Sequence, residues 1–156
     1  MKRRQIRIPR QWLIVDERNQ DLFWRTACHL PPGSGVFVLI QEMPKGQRER
    51  LMRKLRQVSQ ARSLLLLEDD RRAKRVHSMR GLRRASLQRA DLVLLSPIFA
   101  TRSHPDWKPM PRMRAATLAR MAKGPVLALG GMNDRRFSSV EKFGFSGWAG
   151  IDAWGL

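Results

Sequence analysis

The chain has 156 residues, with 31 Lys or Arg against 13 Asp or Glu, which gives a formal charge of +18 at pH 7. A hydrophobic share of 42% excludes wholesale disorder, and the length predicts one domain over residues 1–156, too short for a complete eight-stranded (β/α) barrel. Because Cys28 is the sole cysteine, the sequence excludes an intramolecular disulfide and a multi-cysteine metal site.

The basic residues are 24 Arg and 7 Lys, and they are spread along the whole chain. A charge of this size attracts polyanions through salt-dependent contacts. No zinc finger, aromatic RNA-binding signature or GxxG clamp accompanies the arginines, so nucleic acid is the less favoured partner, although the charge does not exclude it. Small anionic ligands such as phosphates are the favoured partners.

The N-terminus is basic but is followed by neither an apolar h-region nor a cleavage site, which predicts that no signal peptide is present. The longest apolar runs, at 36–40 and 64–67, have the length of strands rather than of membrane spans. We therefore expect a cytoplasmic protein with no membrane partner.

Short apolar runs alternate with helical stretches along the chain. The apolar runs predict strands at 11–16, 36–41, 63–68, 91–96, 126–129 and 148–153. Helical spacing and end signals predict helices at 21–30, 47–61, 82–89 and 112–122, and a further helix that Asn133 caps and Gly144 ends. Three prolines make 103–111 a loop. This alternation indicates a parallel sheet within one α/β domain.

Ligand sites of parallel α/β folds lie at the carboxyl ends of the strands. Here those ends carry Asp16, Gln41, Lys45, Asp69, Asp70, His77, the segment 96–104, Gly130, Gly131, Ile151 and Asp152. Gly130 and Gly131, with the helix that starts at Asn133, offer backbone N–H groups to a phosphate, and a simple tight turn is the alternative explanation. Two hydroxyls, a guanidinium and an imidazole at 101–104 suit an anion.

Three segments in the C-terminal half resemble the thiamine phosphate synthase family, including its TenI-like thiazole tautomerase branch. The stretch ADLVLLSPIFATRSHP at 90–105 is similar to the family's "gaDyvxxgPvfpTxTK". VLALGGM at 126–132 is similar to "pvvAiGGi", and GFSGWAGIDA at 144–153 to "GadGvAvvSa". In the N-terminal half, WLIVD at 12–16 resembles the first strand and QEMPK at 41–45 resembles "QlRxK".

The resemblance implies a TIM-type (β/α) barrel and a transferase that joins a hydroxymethylpyrimidine pyrophosphate to a thiazole phosphate, with magnesium, and releases pyrophosphate. It places Gln41 and Lys45 against the pyrimidine and its pyrophosphate, and Asp70 as a magnesium ligand. It implies that Thr101 and Ser103 contact the pyrophosphate oxygens, and the same predicted substrate-binding segment also holds Arg102 and His104. The backbone groups that hold the thiazole phosphate are those of Gly130, Gly131, Gly150 and Ile151.

The sequence departs from the family pattern in ways that predict reduced synthase activity. One βα unit is missing between Asp70 and Asp91, which predicts seven parallel strands, the loss of the second magnesium carboxylate and two open sheet edges that a homodimer would cover. Met43 replaces an arginine of the family, His104 a lysine and Asp152 a phosphate-contacting serine.

Two other functions stay open. RVHS at 75–78 resembles the "SVHS" element whose histidine moves a proton in the tautomerase branch, so His77 is a candidate catalytic base. The third possibility is a non-catalytic regulatory or nucleic-acid-binding relative. We expect the tryptophans at 12, 24, 148 and 154 to pack in the core rather than to stack on bases.

Overall fold

A computed structural model of the protein describes residues 7–21, 23–68 and 72–154. The strands are β1 (Gln11–Val15), β2 (Gly35–Val38), β3 (Leu65–Glu68), β4 (Ala73–Val76), β5 (Leu92–Leu95), β6 (Val126–Leu129) and β7 (Gly147–Gly150). The helices are α1 (Phe23–Ala27), α2 (Lys45–Ala61), α3 (Met79–Leu87), α4 (Arg112–Met121) and α5 (Asp134–Val140), with 3-10 turns at Glu141–Phe143 and Asp152–Trp154. No helix in this part of the chain is long and apolar enough to cross a membrane.

The seven strands form one sheet in the order β3-β2-β1-β7-β6-β5-β4, and every pair of neighbours is parallel. The last strand, β7, lies at the centre of this order. Beside it lies β1, where Trp12 pairs with Gly35 of β2 on one side and with Ala149 of β7 on the other. The sheet curls into an open half-barrel with β3 and β4 at its edges. The prediction of a shortened TIM-type barrel with seven parallel strands is confirmed.

The missing unit lies between β3 and β4. Glu68 ends one strand and Ala73 begins the next, and the four residues between them span at most about 18 Å when extended. A parallel crossover with a helix needs a dozen or more residues, so none fits here. The residues of β3 are only partly buried, whereas those of β2 are fully buried, because β3 has a neighbour on one side alone. The homodimer expected to cover these edges stays a prediction.

Alternate side chains of each strand pack on opposite faces of the sheet. Trp12, Phe37 and Leu94 belong to the cluster inside the half-barrel, whereas Leu13 and Leu95 pack outside against the helices. The Trp12 indole is fully buried and donates from Nε1 to the Pro9 carbonyl at 2.7 Å. Large interior side chains therefore fill the space that a pore would leave.

Polar side chains cap two of the helices. The Ser78 hydroxyl accepts from the Gly81 N–H at 3.1 Å at the start of α3, and Asn133 Oδ1 accepts from the Arg136 N–H at 2.8 Å at the start of α5. Gly144 has φ of +103° and follows the 3-10 turn that ends this segment. The expected roles of Asn133 and Gly144 are confirmed.

Two expectations about the C-terminal strand and the tryptophans are corrected. The last strand ends at Gly150 rather than at residue 153, because Asp152–Trp154 forms a 3-10 turn. That turn stacks the Trp154 ring on Trp148, with centroids 5.2 Å apart. Trp24 lies at the surface, 36% exposed, with the Lys54 ammonium 5.2 Å from its ring, and does not pack in the core as expected.

Candidate functional site

The carboxyl ends of the strands surround a cavity of about 790 Å³. Residues that follow β1, β2, β5, β6 and β7 contribute to its wall, in agreement with the general position of ligand sites in parallel α/β folds. Nine of the predicted site residues line it: Gln41, Thr101, Arg102, Ser103, His104, Gly130, Gly131, Gly150 and Ile151. The fold therefore brings most of the predicted site together.

The glycine pair after β6 lies against the segment that follows β5. Gly130 and Gly131 have φ of +101° and +57°, a region that residues with a side chain rarely adopt. A Cβ on Gly131 would lie 2.1 Å from the Ala100 carbonyl oxygen. The N–H groups of Gly131 and Ile151 donate to no acceptor among the described residues, so both are available to an anion.

The loop that carries the predicted anion-binding residues is tied to the barrel at two points. Arg18 Nη1, beyond the end of β1, donates to the Ser103 carbonyl at 3.0 Å, and the Met110 N–H donates to the Pro97 carbonyl at 2.7 Å. Within the loop the Thr101 hydroxyl accepts from the Ser103 N–H at 3.3 Å. These bonds hold the loop over the cavity without consuming its side-chain donors.

Trp107 is a site residue that the sequence analysis missed. Its ring lies parallel to that of His104, with centroids 4.1 Å apart, and edge-on to His77 at 5.5 Å. The ring lines the cavity and is 41% exposed. A tryptophan three positions after a candidate histidine in a proline-rich loop is the sequence signal that points to it.

Two predicted catalytic residues lie outside the cavity wall. His77 Nδ1 is 3.0 Å from the Ser96 carbonyl oxygen and 3.1 Å from the Ser96 hydroxyl, so His77 lies directly behind a residue that lines the cavity. Lys45 is exposed at the first position of α2 and does not reach the cavity. Their catalytic roles stay predictions.

Backbone donors hold two carboxylates at the rim of the cavity. Asp16 Oδ1 accepts from the N–H groups of Arg18 and Asn19 at 2.9 and 3.2 Å. Glu17 Oε1 accepts from the Gln41 N–H at 2.7 Å. Burial raises the pKa of Glu17, but backbone N–H donors and the charge of Arg75 outweigh it, so the net pKa lies below the ordinary value.

Four guanidinium groups line the same cavity: Arg18, Arg75, Arg102 and Arg136. Arg18 and Arg136 each use Nη1 on a backbone carbonyl, of Ser103 and Gly131 respectively. The described part of the wall carries three carboxylates, Asp16, Glu17 and Asp152. Among these described groups positive charge exceeds negative charge, which favours an anionic ligand.

The predicted magnesium ligand Asp70 lies outside the described residues, so its role stays a prediction. Within 7–21, 23–68 and 72–154, no three His, Cys, Asp or Glu side chains come together as a metal ion needs. The residues present in that part of the chain do not by themselves fit a magnesium site.

Comparisons with known proteins agree on one family. Residues 75–154, half of the chain, match the family model described as thiamine monophosphate synthase. A segment of 75 residues, 48% of this chain, is 36% identical to a protein of Aquifex aeolicus (strain VF5) named "Putative thiamine-phosphate synthase 2", and it spans 40% of that protein. The chain thus covers less than half of this curated relative.

The fold is similar to that of a solved structure, the thiamine phosphate pyrophosphorylase from Pyrococcus furiosus. The TM-score is 0.74 at 18% sequence identity, and the match covers 92% of this chain and 86% of that one. The TM-score shows that the two chains share a fold, and at this low identity the match shows the fold alone. The likeness extends over the N-terminal half, where the sequence resemblance was weaker.

Proposed function

Since this chain belongs to the thiamine monophosphate synthase family, we propose that its cavity binds phosphorylated thiamine precursors and joins them into thiamine phosphate. The observation that carries the proposal is the convergence of Gly131, Ile151 and the 101–104 loop on one cationic cavity at the strand ends. Its volume of about 790 Å³ lies within the range of small-molecule sites.

The proposed reaction couples two ligands in this cavity. The thiazole nitrogen forms a bond to the pyrimidine methylene carbon as the bond from that carbon to the pyrophosphate oxygen breaks, and pyrophosphate leaves with its electron pair. The free N–H groups of Gly131 and Ile151 would hold the thiazole phosphate. The Thr101 and Ser103 hydroxyls would donate to the pyrophosphate and stabilise its developing charge.

Calorimetry with thiazole phosphate and with inorganic pyrophosphate tests binding directly, and chromatography of thiamine phosphate tests the reaction. Thr101→Val keeps the side-chain shape and removes the hydroxyl, so we expect pyrophosphate binding to weaken about tenfold. Thr117→Val is the matched control, because the Thr117 hydroxyl bonds the Met113 carbonyl on the exposed face of α4. Absence of heat with both ligands at millimolar concentration would refute the proposal.

A proton transfer by His77 is the second candidate function. When His77 Nδ1–H donates to the Ser96 carbonyl, Nε2 is left unprotonated and can act as a base, as a thiazole tautomerase requires. His77→Ala should then abolish thiazole isomerisation and leave thiazole phosphate binding unchanged. If the variant and the wild type isomerise the thiazole at the same rate, this candidate is excluded.

A further inference from the structure

Arg75 brings a charge to the interior of the barrel. It lies on the same face of β4 as Ala73, which belongs to the interior cluster. Its side chain is half-buried and lines the cavity, whose wall also includes Ile14 and Leu129 of that interior. A guanidinium that is partly removed from water is costly unless an anion compensates its charge.

No carboxylate among the described residues contacts Arg75 directly. Arg75 forms neither an ion pair nor a hydrogen bond through its side chain there. The positive charge of Arg75 interacts electrostatically with Glu17 and contributes to the lowered pKa of that carboxyl group. Glu17 Oε1, however, is already engaged by the backbone N–H groups of Gln41 and Glu42.

Arg102 is a second guanidinium of the cavity whose donors have no described partner. It lines the cavity and has no hydrogen-bond or ion-pair partner in the described part of the chain. Arg18 and Arg136 differ, because backbone carbonyls already hold them. Two guanidinium groups with free donors therefore face one cavity, and such groups form bidentate hydrogen bonds with phosphate oxygens.

We propose that Arg75, assisted by Arg102, binds the diphosphate group of the ligand directly, so that diphosphate binding to this chain does not require a divalent cation. The inference rests on the proposed function, since it concerns the ligand of the same cavity. It is a departure of this chain from the resembled family, whose "SVHS" element has serine where this sequence has Arg75. The guanidinium neutralises charge that a bound metal ion would otherwise neutralise.

Isothermal titration calorimetry with inorganic pyrophosphate, in excess EDTA and in excess Mg²⁺, tests the inference on the whole chain. The wild type should bind in EDTA with a Kd within about threefold of its value in Mg²⁺. Arg75→Gln, which removes the charge and leaves a shorter polar side chain, should weaken binding in EDTA by about tenfold or more. Arg75→Lys should lie between the two, because it keeps the charge and loses the planar fork.

Arg83→Gln is the matched control. Arg83 is exposed on α3, so this variant removes the same net charge outside the cavity and should bind within about twofold of the wild type. Circular dichroism verifies that each variant folds, and if Arg75→Gln does not, the EDTA titration of Arg75→Lys decides.

The outcomes separate the two proposals. Binding of pyrophosphate by the wild type in Mg²⁺ alone, or wild-type affinity in a folded Arg75→Gln variant, would overturn the role of Arg75 and leave the proposed function intact. Absence of binding in both buffers, for pyrophosphate and for thiazole phosphate, would instead refute the proposed function itself.

Discussion

Gly131 packs against the Ala100 carbonyl so closely that a Cβ would lie 2.1 Å from its oxygen. With φ of +57°, Gly131→Ala adds backbone strain to this overlap, and we expect it to lower the free energy of unfolding by about 2 kcal/mol or more. Gly124→Ala is the control, since its nearest contact would be an ordinary 3.5 Å. Urea unfolding measures both, and equal stabilities would contradict the packing described.

Gly35 and Trp12 make a similar contact inside the barrel. A Cβ on Gly35 would lie 2.1 Å from the Trp12 ring, which is fully buried and cannot move aside. We expect Gly35→Ala to destabilise the protein by about 3 kcal/mol. In a Trp12→Leu background Gly35→Ala should cost less than in the wild type, because the smaller side chain leaves space for the new methyl group. Strict additivity of the two changes in denaturant titrations would show that the residues are not coupled.

The fold was predictable largely because its strands are buried on both faces. The apolar run at 92–95 predicts such a strand, and β5 forms there with its four residues buried. The apolar runs do not reveal β4, because two of its four residues, Lys74 and Arg75, are charged. The other errors lie at element ends, where tertiary contacts decide. The last strand stops at Gly150 because Trp154 finds a stacking partner in Trp148, a pairing that no local pattern shows. Trp24 was misplaced because helix α1 has only five residues, too short for a clear buried face.

The site was predictable where it follows strands and less so where loops fold over it. Gly131 was expected at the site because it belongs to the glycine pair after the strand at 126–129, and Ile151 because of the family resemblance at 144–153. Trp107 was missed because its approach to His104 depends on the path of an irregular loop. Arg75 was not predicted as a site residue, although the alternation along β4 places it on the same face as Ala73 and thus toward the interior.

Arg10 links the segment before β1 to the turn after α5. Its guanidinium forms an ion pair with Glu141 and lies 4.6 Å from the centre of the Phe137 ring. Hydrogen bonding to Glu141 raises the pKa of Arg10, which keeps it charged. Because the pair is half-exposed, we expect Arg10→Ala to cost only about 1 kcal/mol of stability, and less at high salt. Thermal melts at two salt concentrations measure this, and a salt-independent loss would exclude an ionic contribution.

Glu17 should make stability depend on acid pH. Because the pKa of Glu17 is lower in the folded chain than its ordinary value, its contribution is fully present above about pH 4.5 and is lost as pH falls through the folded pKa. Glu17→Gln should therefore be less stable than the wild type at pH 6, and the difference should shrink at lower pH, where Glu17 is protonated. Arg75→Gln should raise the pKa of Glu17, since it removes one of the charges that lower it.

Urea unfolding between pH 3 and pH 7, with carbon NMR of the Glu17 carboxyl, checks both statements. Glu49→Gln on the exposed surface of α2 controls for the loss of a surface carboxylate. A stability difference between wild type and Glu17→Gln that stays constant over this range would mean that the N–H groups of Gln41 and Glu42 do not favour the charged carboxylate. An unchanged Glu17 titration in Arg75→Gln would place the guanidinium too far away to act on this carboxylate, and thereby weaken the case for one shared anionic site.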